Sequence, residues 1–140
     1  MPEKILIVDD EKDFLDIMAE RMRFLGMDVS TTTSSENALK MVDEGSYDAV
    51  IMDFMMPGMD GFKTLKALKE SKPEVQVILL TANVPEDKCA EALKLGALDV
   101  IEKPADLNFL TQKIKNSKKE KILFLERLKE KGLKKSLFFD

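Results

Sequence analysis

The sequence has no histidine, no tryptophan and a single cysteine among its 140 residues. Without histidine the chain cannot form a histidine-based catalytic triad or a histidine-ligated zinc site, and it cannot carry a phosphohistidine. Cys89 cannot form a disulfide within the chain, so we expect a reducing, cytoplasmic location. No apolar run approaches the roughly 20 residues that a membrane-spanning helix needs, and the N-terminal residues lack the layout of a signal peptide. We therefore expect no membrane association.

Charge is distributed unevenly along the chain. Residues 1–112 hold 12 basic and 22 acidic side chains, whereas residues 113–140 hold 10 basic and 4 acidic ones. The basic residues of the tail are scattered among apolar runs, without a helix-turn-helix pattern or a set of stacking aromatics. We therefore expect no nucleic-acid binding by this chain.

Apolar runs and helical patterns alternate along the sequence. Short apolar runs, which we interpret as strands, occupy residues 5–8, 49–52, 75–80 and 100–102, and a weaker, β-branched strand is expected at residues 27–32. A segment with apolar residues at helical spacing follows each of them, and most such segments end at glycine. Five βα units with short connections predict an α/β fold, in which helices cover both faces of a parallel sheet.

The sequence makes more specific predictions for two of the helices. In the first helix, which Gly26 is expected to end, the spacing predicts one helical face, formed by Phe14, Ile17, Met18, Arg21, Met22 and Leu25. The final helix is expected to begin after Asp106, whose side chain can cap its N-terminus.

Acidic residues end two of the predicted strands. Asp53 follows the third strand, and Asp9 and Asp10 follow the first. A carboxylate at the tip of a buried strand is costly to desolvate unless a cation meets it. The carboxyl ends of parallel strands converge on the edge of the sheet where ligands bind. Three carboxylates at that edge predict a site for a small divalent cation such as Mg²⁺.

The other strand tips carry a hydroxyl and an ammonium group. Thr81 ends the fourth strand, and Lys103 follows the fifth. In this setting Asp53 is a candidate carboxylate nucleophile that can become an acyl phosphate. Mg²⁺, Thr81 and Lys103 would stabilise the charge on the transferring phosphoryl group.

These pieces resemble a known family in both order and spacing. Over about residues 3–117, the chain is similar to the response-regulator receiver domain of bacterial two-component signalling, including the chemotaxis receivers. The resemblance rests on Asp9-Asp10, the stretch DFMMPGMDG from Asp53 to Gly61, Thr81-Ala82 and Lys103-Pro104. It implies a flavodoxin-like (βα)5 three-layer sandwich with strand order 2-1-3-4-5.

The resemblance also implies a function. Asp53 would accept a phosphoryl group from the phosphohistidine of a sensor histidine kinase or phosphotransfer protein, in a Mg²⁺-dependent phosphorelay reaction that switches partner binding. Such a module is not an enzyme beyond its own phosphorylation and dephosphorylation. The main-chain carbonyl of Met55 would join the metal ligands, and the Lys103–Pro104 peptide bond would be cis.

Three positions tune the behaviour that the family pattern implies. Receivers often carry an aromatic residue three positions before the lysine, where this chain has Val100, so we do not expect coupling by aromatic rotation. Met55 and Asn83 occupy the positions that influence hydrolysis of the acyl phosphate. Because an apolar Met55 cannot orient a water molecule by hydrogen bonding, we expect slow self-dephosphorylation.

Simpler roles exist for the individual residues. Asp9 and Asp10 could be first-turn acids of a helix, Thr81 a strand-ending β-branched residue, and Lys103 a solvated surface lysine. Their joint occurrence at strand tips favours the site.

Other functional classes remain open. A flavodoxin-type cofactor binder fits poorly, because the acids that follow the first strand would repel a phosphate. A phosphatase of the dehalogenase class would need a second acid two residues after Asp53, where Met55 stands. The alternative to a phosphoacceptor is a receiver-like scaffold that binds partners without phosphorylation.

The tail predicts a second kind of contact. We divide the chain into a receiver domain, residues 1–117, and a C-terminal helical extension or linker, residues 118–140. A helix from about residue 107 to 131 would run roughly 37 Å and project beyond the sheet. Its apolar residues predict pairing with another copy (a homodimer) or with a downstream output domain, and folding back on the same domain is the alternative. Ser117 and Lys121 interrupt the heptads, so no long regular coiled coil is expected.

Overall fold

The computed structural model describes residues 2–82, 85–104 and 106–139, with side chains described as far as Glu130. These residues form five strands and five helices in strict alternation. The strands are β1 (Lys4–Val8), β2 (Asp28–Thr32), β3 (Ala49–Asp53), β4 (Gln76–Thr81) and β5 (Ala97–Glu102). The helices are α1 (Lys12–Phe24), α2 (Ser35–Glu44), α3 (Gly61–Ser71), α4 (Glu86–Lys94) and α5 (Leu107–Phe139).

The described strands form one parallel sheet with the order β2-β1-β3-β4-β5, which confirms the predicted topology. Successive residues of a strand point to opposite faces, so a strand covered on both sides must be apolar throughout. In β1, Leu6 and Val8 belong to one core and Ile5 and Ile7 to the other. This explains why the central strands are continuous apolar runs.

The two cores make a three-layer sandwich. One core lies between the sheet and helices α2, α3 and α4, and includes Ala38, Leu65 and Ala92. The other lies between the sheet and helices α1 and α5, and includes Leu15 and Ile114. The sheet is therefore buried on both faces, and its carboxyl edge remains available to bind ligands.

The face of α1 that the spacing singles out is only partly buried. Ile17 and Leu25 are 53% and 50% exposed, whereas Leu15 and Ala19 join Met22 in the core. The prediction gave the most weight to the larger apolar residues. The helix instead turns the small Ala19 towards the sheet, and a small side chain lets helix and sheet approach closely.

The helix starts agree with the sequence. Asp106 Oδ1 accepts hydrogen bonds from the backbone N–H groups of Asn108 (2.7 Å) and Phe109 (3.1 Å), which confirms the predicted cap of α5. Asp60 caps α3 in the same way. Gly61, which follows it, is required by packing, because a Cβ there would lie 2.7 Å from the Phe54 ring and from the Phe54 carbonyl oxygen.

Helix α5 extends past the sheet. Leu110, Ile114 and Ser117 are fully buried against the domain. One turn further on, Lys121 Nζ lies 3.6 Å from a carboxylate oxygen of Asp48, at the amino-terminal edge of the sheet. The side chains of residues 122–130 are mostly exposed. Within the described residues, no helix combines the length and apolarity that crossing a membrane requires.

Candidate functional site

Three carboxylates converge at the carboxyl edge of β1 and β3. Asp9 and Asp10 follow β1, Asp53 is the last residue of β3, and the two strands are hydrogen-bonded neighbours. One carboxylate oxygen from each of the three residues lies within 4.8 Å of the others. Asp9 is 1% and Asp53 7% exposed, whereas Asp10 is open to solvent. The structure thus brings together the three acids that the sequence singled out.

Backbone amides fix the two buried carboxylates. Asp9 Oδ1 accepts a hydrogen bond from the N–H group of Glu11 (2.9 Å), and Asp53 Oδ1 accepts one from that of Met55 (3.0 Å). In both residues the Oδ1 atom is thereby held by the backbone two residues further on, and the Oδ2 atom contacts the ammonium group of Lys103. The charge of each carboxylate is partly balanced, and its orientation is set before any ligand arrives.

Lys103 supplies the positive charge between these acids. Its Nζ atom lies 2.7 Å from Asp9 Oδ2 and 3.4 Å from Asp53 Oδ2. Burial lowers the pKa of Lys103, but the hydrogen bond to Asp9 and the charges of Asp9 and Asp53 outweigh that effect. The pKa of Lys103 therefore lies above its usual value of 10.5, and the side chain is a cation at neutral pH.

The backbone around Lys103 explains how its side chain is directed towards Asp9 and Asp53. The Lys103–Pro104 peptide bond is cis, as predicted. The N–H group of Lys103 donates a 2.7 Å hydrogen bond to the carbonyl oxygen of Thr81, which extends the pairing of β4 with β5 to the sheet edge. The start of the lysine side chain is thus tied to the neighbouring strand, and the long side chain can reach over to β1 and β3.

Thr81 has an unusual side chain. It ends β4, is 1% exposed, and its hydroxyl has no hydrogen-bond partner among the residues that the structure describes. A buried hydroxyl without a partner costs roughly 1–3 kcal/mol, so native proteins seldom keep one without a reason. It is a donor available for an oxygen atom that reaches the site.

The donor set suits Mg²⁺. The acids offer hard oxygen ligands, one of them solvent-exposed, and Mg²⁺ typically binds one or two carboxylates while keeping several waters. The cluster contains carboxylates and, within the described part of the chain, no cysteine, which favours a hard metal over a soft one.

Two contacts of Lys103 were missed by the sequence reasoning. Its Nζ atom lies 4.3 Å from the ring centroid of Phe14, a cation–π contact, and 3.8 Å from Glu11 Oε1. From the sequence, Phe14 is expected on one face of α1, and Glu11 counts only among the acids that follow the first strand. The signal was their position in the first turn beyond Asp10, which faces the carboxyl edge.

The predicted tuning positions have different surroundings. Met55 is 60% exposed beside Asp53. Val100 lines a cavity of about 160 Å³ together with Thr81, Cys89 and Glu102. A valine at this position thus leaves open space next to the threonine. Asn83 lies outside the described residues.

Comparisons with known proteins agree with this geometry. Residues 5–115 match the family model described as the response regulator receiver domain. Response regulator SaeR of Staphylococcus epidermidis is 41% identical over 100 residues, which are 71% of this chain and 43% of that protein. The chain thus spans less than half the length of this relative.

Solved structures share the fold. A response regulator receiver domain protein from Clostridium thermocellum superposes with a TM-score of 0.82 and 33% identity, covering 87% of this chain and 98% of the other. The beryllofluoride-activated NtrC4 receiver domain dimer has a TM-score of 0.79 and 27% identity, with coverage of 84% and 98%.

Proposed function

Because this chain belongs to the response regulator receiver domain family, whose members act in two-component phosphorelay signalling, we propose that Asp53 is its phosphoacceptor. The donor would be the phosphohistidine of a sensor histidine kinase or phosphotransfer protein. The observation that carries the proposal is the buried Asp53 carboxylate, with the Lys103 ammonium 3.4 Å away and two further carboxylates at the same edge. A buried strand has little use for a terminal aspartate except at a site.

Mg²⁺ would be held by Asp9, Asp10, Asp53 and the main-chain carbonyl of Met55. When bound, it would neutralise charge on the transferring phosphoryl group. Support comes from the oxygen-rich cluster and from the Met55 N–H bond to Asp53, which keeps the Met55 backbone beside the carboxylate.

The residues of the chain would act as follows. A carboxylate oxygen of Asp53 forms a bond to phosphorus while the phosphorus–nitrogen bond of the donor breaks, and the imidazole nitrogen leaves with the electron pair. Lys103 offers its ammonium to a phosphoryl oxygen, since it already lies between Asp9 and Asp53. Thr81 offers to another phosphoryl oxygen its hydroxyl, which has no hydrogen-bond partner among the described residues. Self-phosphorylation and dephosphorylation of Asp53 would be the only chemistry that the chain itself assists.

Switching would be carried mainly by Thr81. Movement of its hydroxyl towards the phosphoryl group would change the packing of β4, β5 and their helices, which biases the protein towards a second conformation. Val100 has no ring to rotate, so the aromatic coupling of other receivers would be absent. Met55 and Asn83 would set the lifetime of the acyl phosphate.

The C-terminal part of the chain would contact a second kind of partner. We propose that residues 1–117 are the receiver domain and that residues 118–140 extend it towards a homodimer partner or a downstream output domain. Exposed apolar residues on this part of α5 support the proposal, namely Ile122, Leu123, Leu125 and Leu128. A dimer in a related receiver structure supports the first choice. We propose a cytoplasmic location because such kinases phosphorylate their receivers there.

Intact-mass measurement after incubation with acetyl phosphate and Mg²⁺ tests the phosphoacceptor. We expect one phosphoryl group on the wild type and none on Asp53→Asn. The matched control is Asp16→Asn, which makes the same change at an exposed position of α1 and should be labelled like the wild type. Equal labelling of Asp53→Asn would refute the assignment and favour an unphosphorylated scaffold.

A further inference from the structure

The outer face of α5 is not explained by the phosphoacceptor site. Leu110, Ile114 and Ser117 are buried against the domain, and Lys121 continues this docking stripe with its ion pair to Asp48. Because a helix has 3.6 residues per turn, the opposite side of α5 faces away from the whole domain.

That opposite side carries one continuous stripe. Apart from an adjacent pair at its centre, its members are spaced three or four residues apart, which places them on one side of the helix, and all are exposed. They are Lys115, Lys119, Ile122, Leu123, Glu126 and Glu130. The two apolar side chains at the centre, Ile122 and Leu123, are 48% and 42% exposed.

The order of these residues has a symmetry. Lys119 precedes the central apolar pair by three residues, and Glu126 follows it by three. Lys115 precedes the pair by seven, and Glu130 follows it by seven. Read from either end, the stripe has the same spacing but the opposite charge.

We propose that this outer stripe of α5 binds the same stripe of a second copy of the chain, with the two helices antiparallel. A two-fold axis between Ile122 and Leu123 would place Lys119 opposite the partner's Glu126. It would place Lys115 opposite the partner's Glu130. The apolar pairs would meet at the centre. The inference rests on the proposed role of α5 as a contact surface, and it specifies the partner and the orientation.

The charge pattern selects the antiparallel arrangement. In a parallel pair each lysine would face a lysine and each glutamate a glutamate, which is unfavourable. In the antiparallel pair every charge faces its opposite, and the contact is self-complementary, as a two-fold interface must be. Exposed ion pairs contribute little affinity, so the charges set orientation while the apolar pair supplies the burial.

Steric access is compatible with this arrangement. Each domain lies on the docking side of its own helix, so the two domains would stand on opposite outer sides of the helix pair. Leu125 and Leu128 lie nearer the docking side than the outer stripe does. They would remain available to a downstream domain when two copies pair.

Sedimentation equilibrium on the full chain tests the inference through charge reversal. Lys119→Glu should raise the dimer dissociation constant about tenfold, because it places like charges at both symmetry-related positions. Adding Glu126→Lys in the same chain should return the dissociation constant to the wild-type value, since the reversed charges again face opposite ones. Lys66→Glu, the same change on an exposed position of α3, should have no effect.

Three results would overturn the inference: a wild type that stays monomeric at high concentration, a double variant that dimerises no better than the single one, and equal weakening by Lys66→Glu. Helix content measured by circular dichroism separates a contact effect from loss of the helix. Labelling of the same variants by acetyl phosphate reports the phosphoacceptor independently. A failure of the dimer thus leaves the assignment of Asp53 untouched, and a failure of labelling leaves the dimer untouched.

Discussion

Lys103 is bound more closely to Asp9 than to Asp53: its Nζ atom lies 2.7 Å from the former carboxylate and 3.4 Å from the latter. The lysine is therefore engaged mainly with an acid that we assign to the metal, and only secondarily with the proposed phosphoacceptor. A divalent cation at Asp9 would compete with the ammonium for Oδ2. Release of Lys103 towards Asp53 would then place it where a phosphoryl oxygen arrives.

The metal site makes a prediction about thermal stability. Millimolar Mg²⁺ should raise the melting temperature, because a ligand that binds only the folded state stabilises it by about 2.7 kcal/mol at a hundredfold excess over its dissociation constant. The shift should be much smaller in Asp10→Asn, which loses one ligand. Differential scanning fluorimetry against sodium chloride of equal ionic strength measures it. An unchanged wild-type melting temperature would contradict the site.

Removing Lys103 should destabilise the metal-free protein and increase the stabilisation that Mg²⁺ provides. Lys103→Met should lower the free energy of unfolding without Mg²⁺, because Asp9 and Asp53 lose their shared cation and repel each other. A charge-assisted hydrogen bond of this kind contributes roughly 1.5–3 kcal/mol when buried, and this partly exposed pair should contribute less. With Mg²⁺ present, the gain in melting temperature should exceed that of the wild type, because the lysine no longer competes. Equal gains in both proteins would show that Lys103 and the metal do not share Asp9.

Thr81→Val should stabilise the unphosphorylated protein. The substitution removes a buried hydroxyl that has no partner among the described residues and keeps the shape of the side chain. We expect an increase of about 1 kcal/mol in the free energy of unfolding, measured by urea denaturation. Phosphorylation of Asp53 should remain, while its effect on partner binding or dimerisation is lost. Thr111→Val on α5, which removes a hydroxyl bonded to the Leu107 carbonyl oxygen, is the contrasting control and should not stabilise.

The sequence predicted the site better than it predicted the packing. Asp9 and Asp53 were recognisable because a carboxylate contradicts the apolar character of a buried strand. Their convergence followed from the parallel topology. The place of Phe14 in the first turn of α1 indicates that it lies near the carboxyl edge, but its contact with the Lys103 ammonium depends on the rotation of α1 about its axis. Spacing alone did not give that rotation, because the face that it singled out did not include the small, buried Ala19.

The start of β5 shows a second limit. The prediction began this strand at Val100, whereas it begins at Ala97. The first residues of the strand were missed because of Asp99, since an acid inside an apolar run normally argues against burial. In the structure β5 is an edge strand, and Asp99 lies 2.8 Å from Lys113 Nζ of α5. The ion pair joins two segments whose proximity only the fold determines.

Gly58, in the loop after Asp53, and Gly61, the first residue of α3, should differ in their tolerance of alanine. At Gly61 a Cβ would lie 2.7 Å from the Phe54 ring and carbonyl oxygen, so Gly61→Ala must displace Phe54 or the start of α3. Gly58 has open space but a φ of +71°, which costs an L-residue roughly 1–2 kcal/mol. We expect the larger loss of stability, together with slower phosphorylation, from Gly61→Ala. Urea denaturation and acetyl phosphate labelling of both variants measure these effects, and a smaller loss at Gly61 would contradict the packing argument.

The lifetime of the phosphorylated state should depend on Met55. This side chain is 60% exposed beside Asp53, and its thioether is a weak acceptor that cannot hold a water molecule in line with the acyl phosphate. Met55→Asn supplies an amide that can do so, and hydrolysis should become severalfold faster. Met59→Asn makes the same change at a partly buried position four residues further along the same loop, and serves as the control for loss of a methionine from this loop. The decay of phosphorylated protein after removal of acetyl phosphate, followed on gels that separate the two forms, measures the rate. If both variants decay as the wild type does, Met55 does not limit access of water, and the slow hydrolysis that we expect must have another cause.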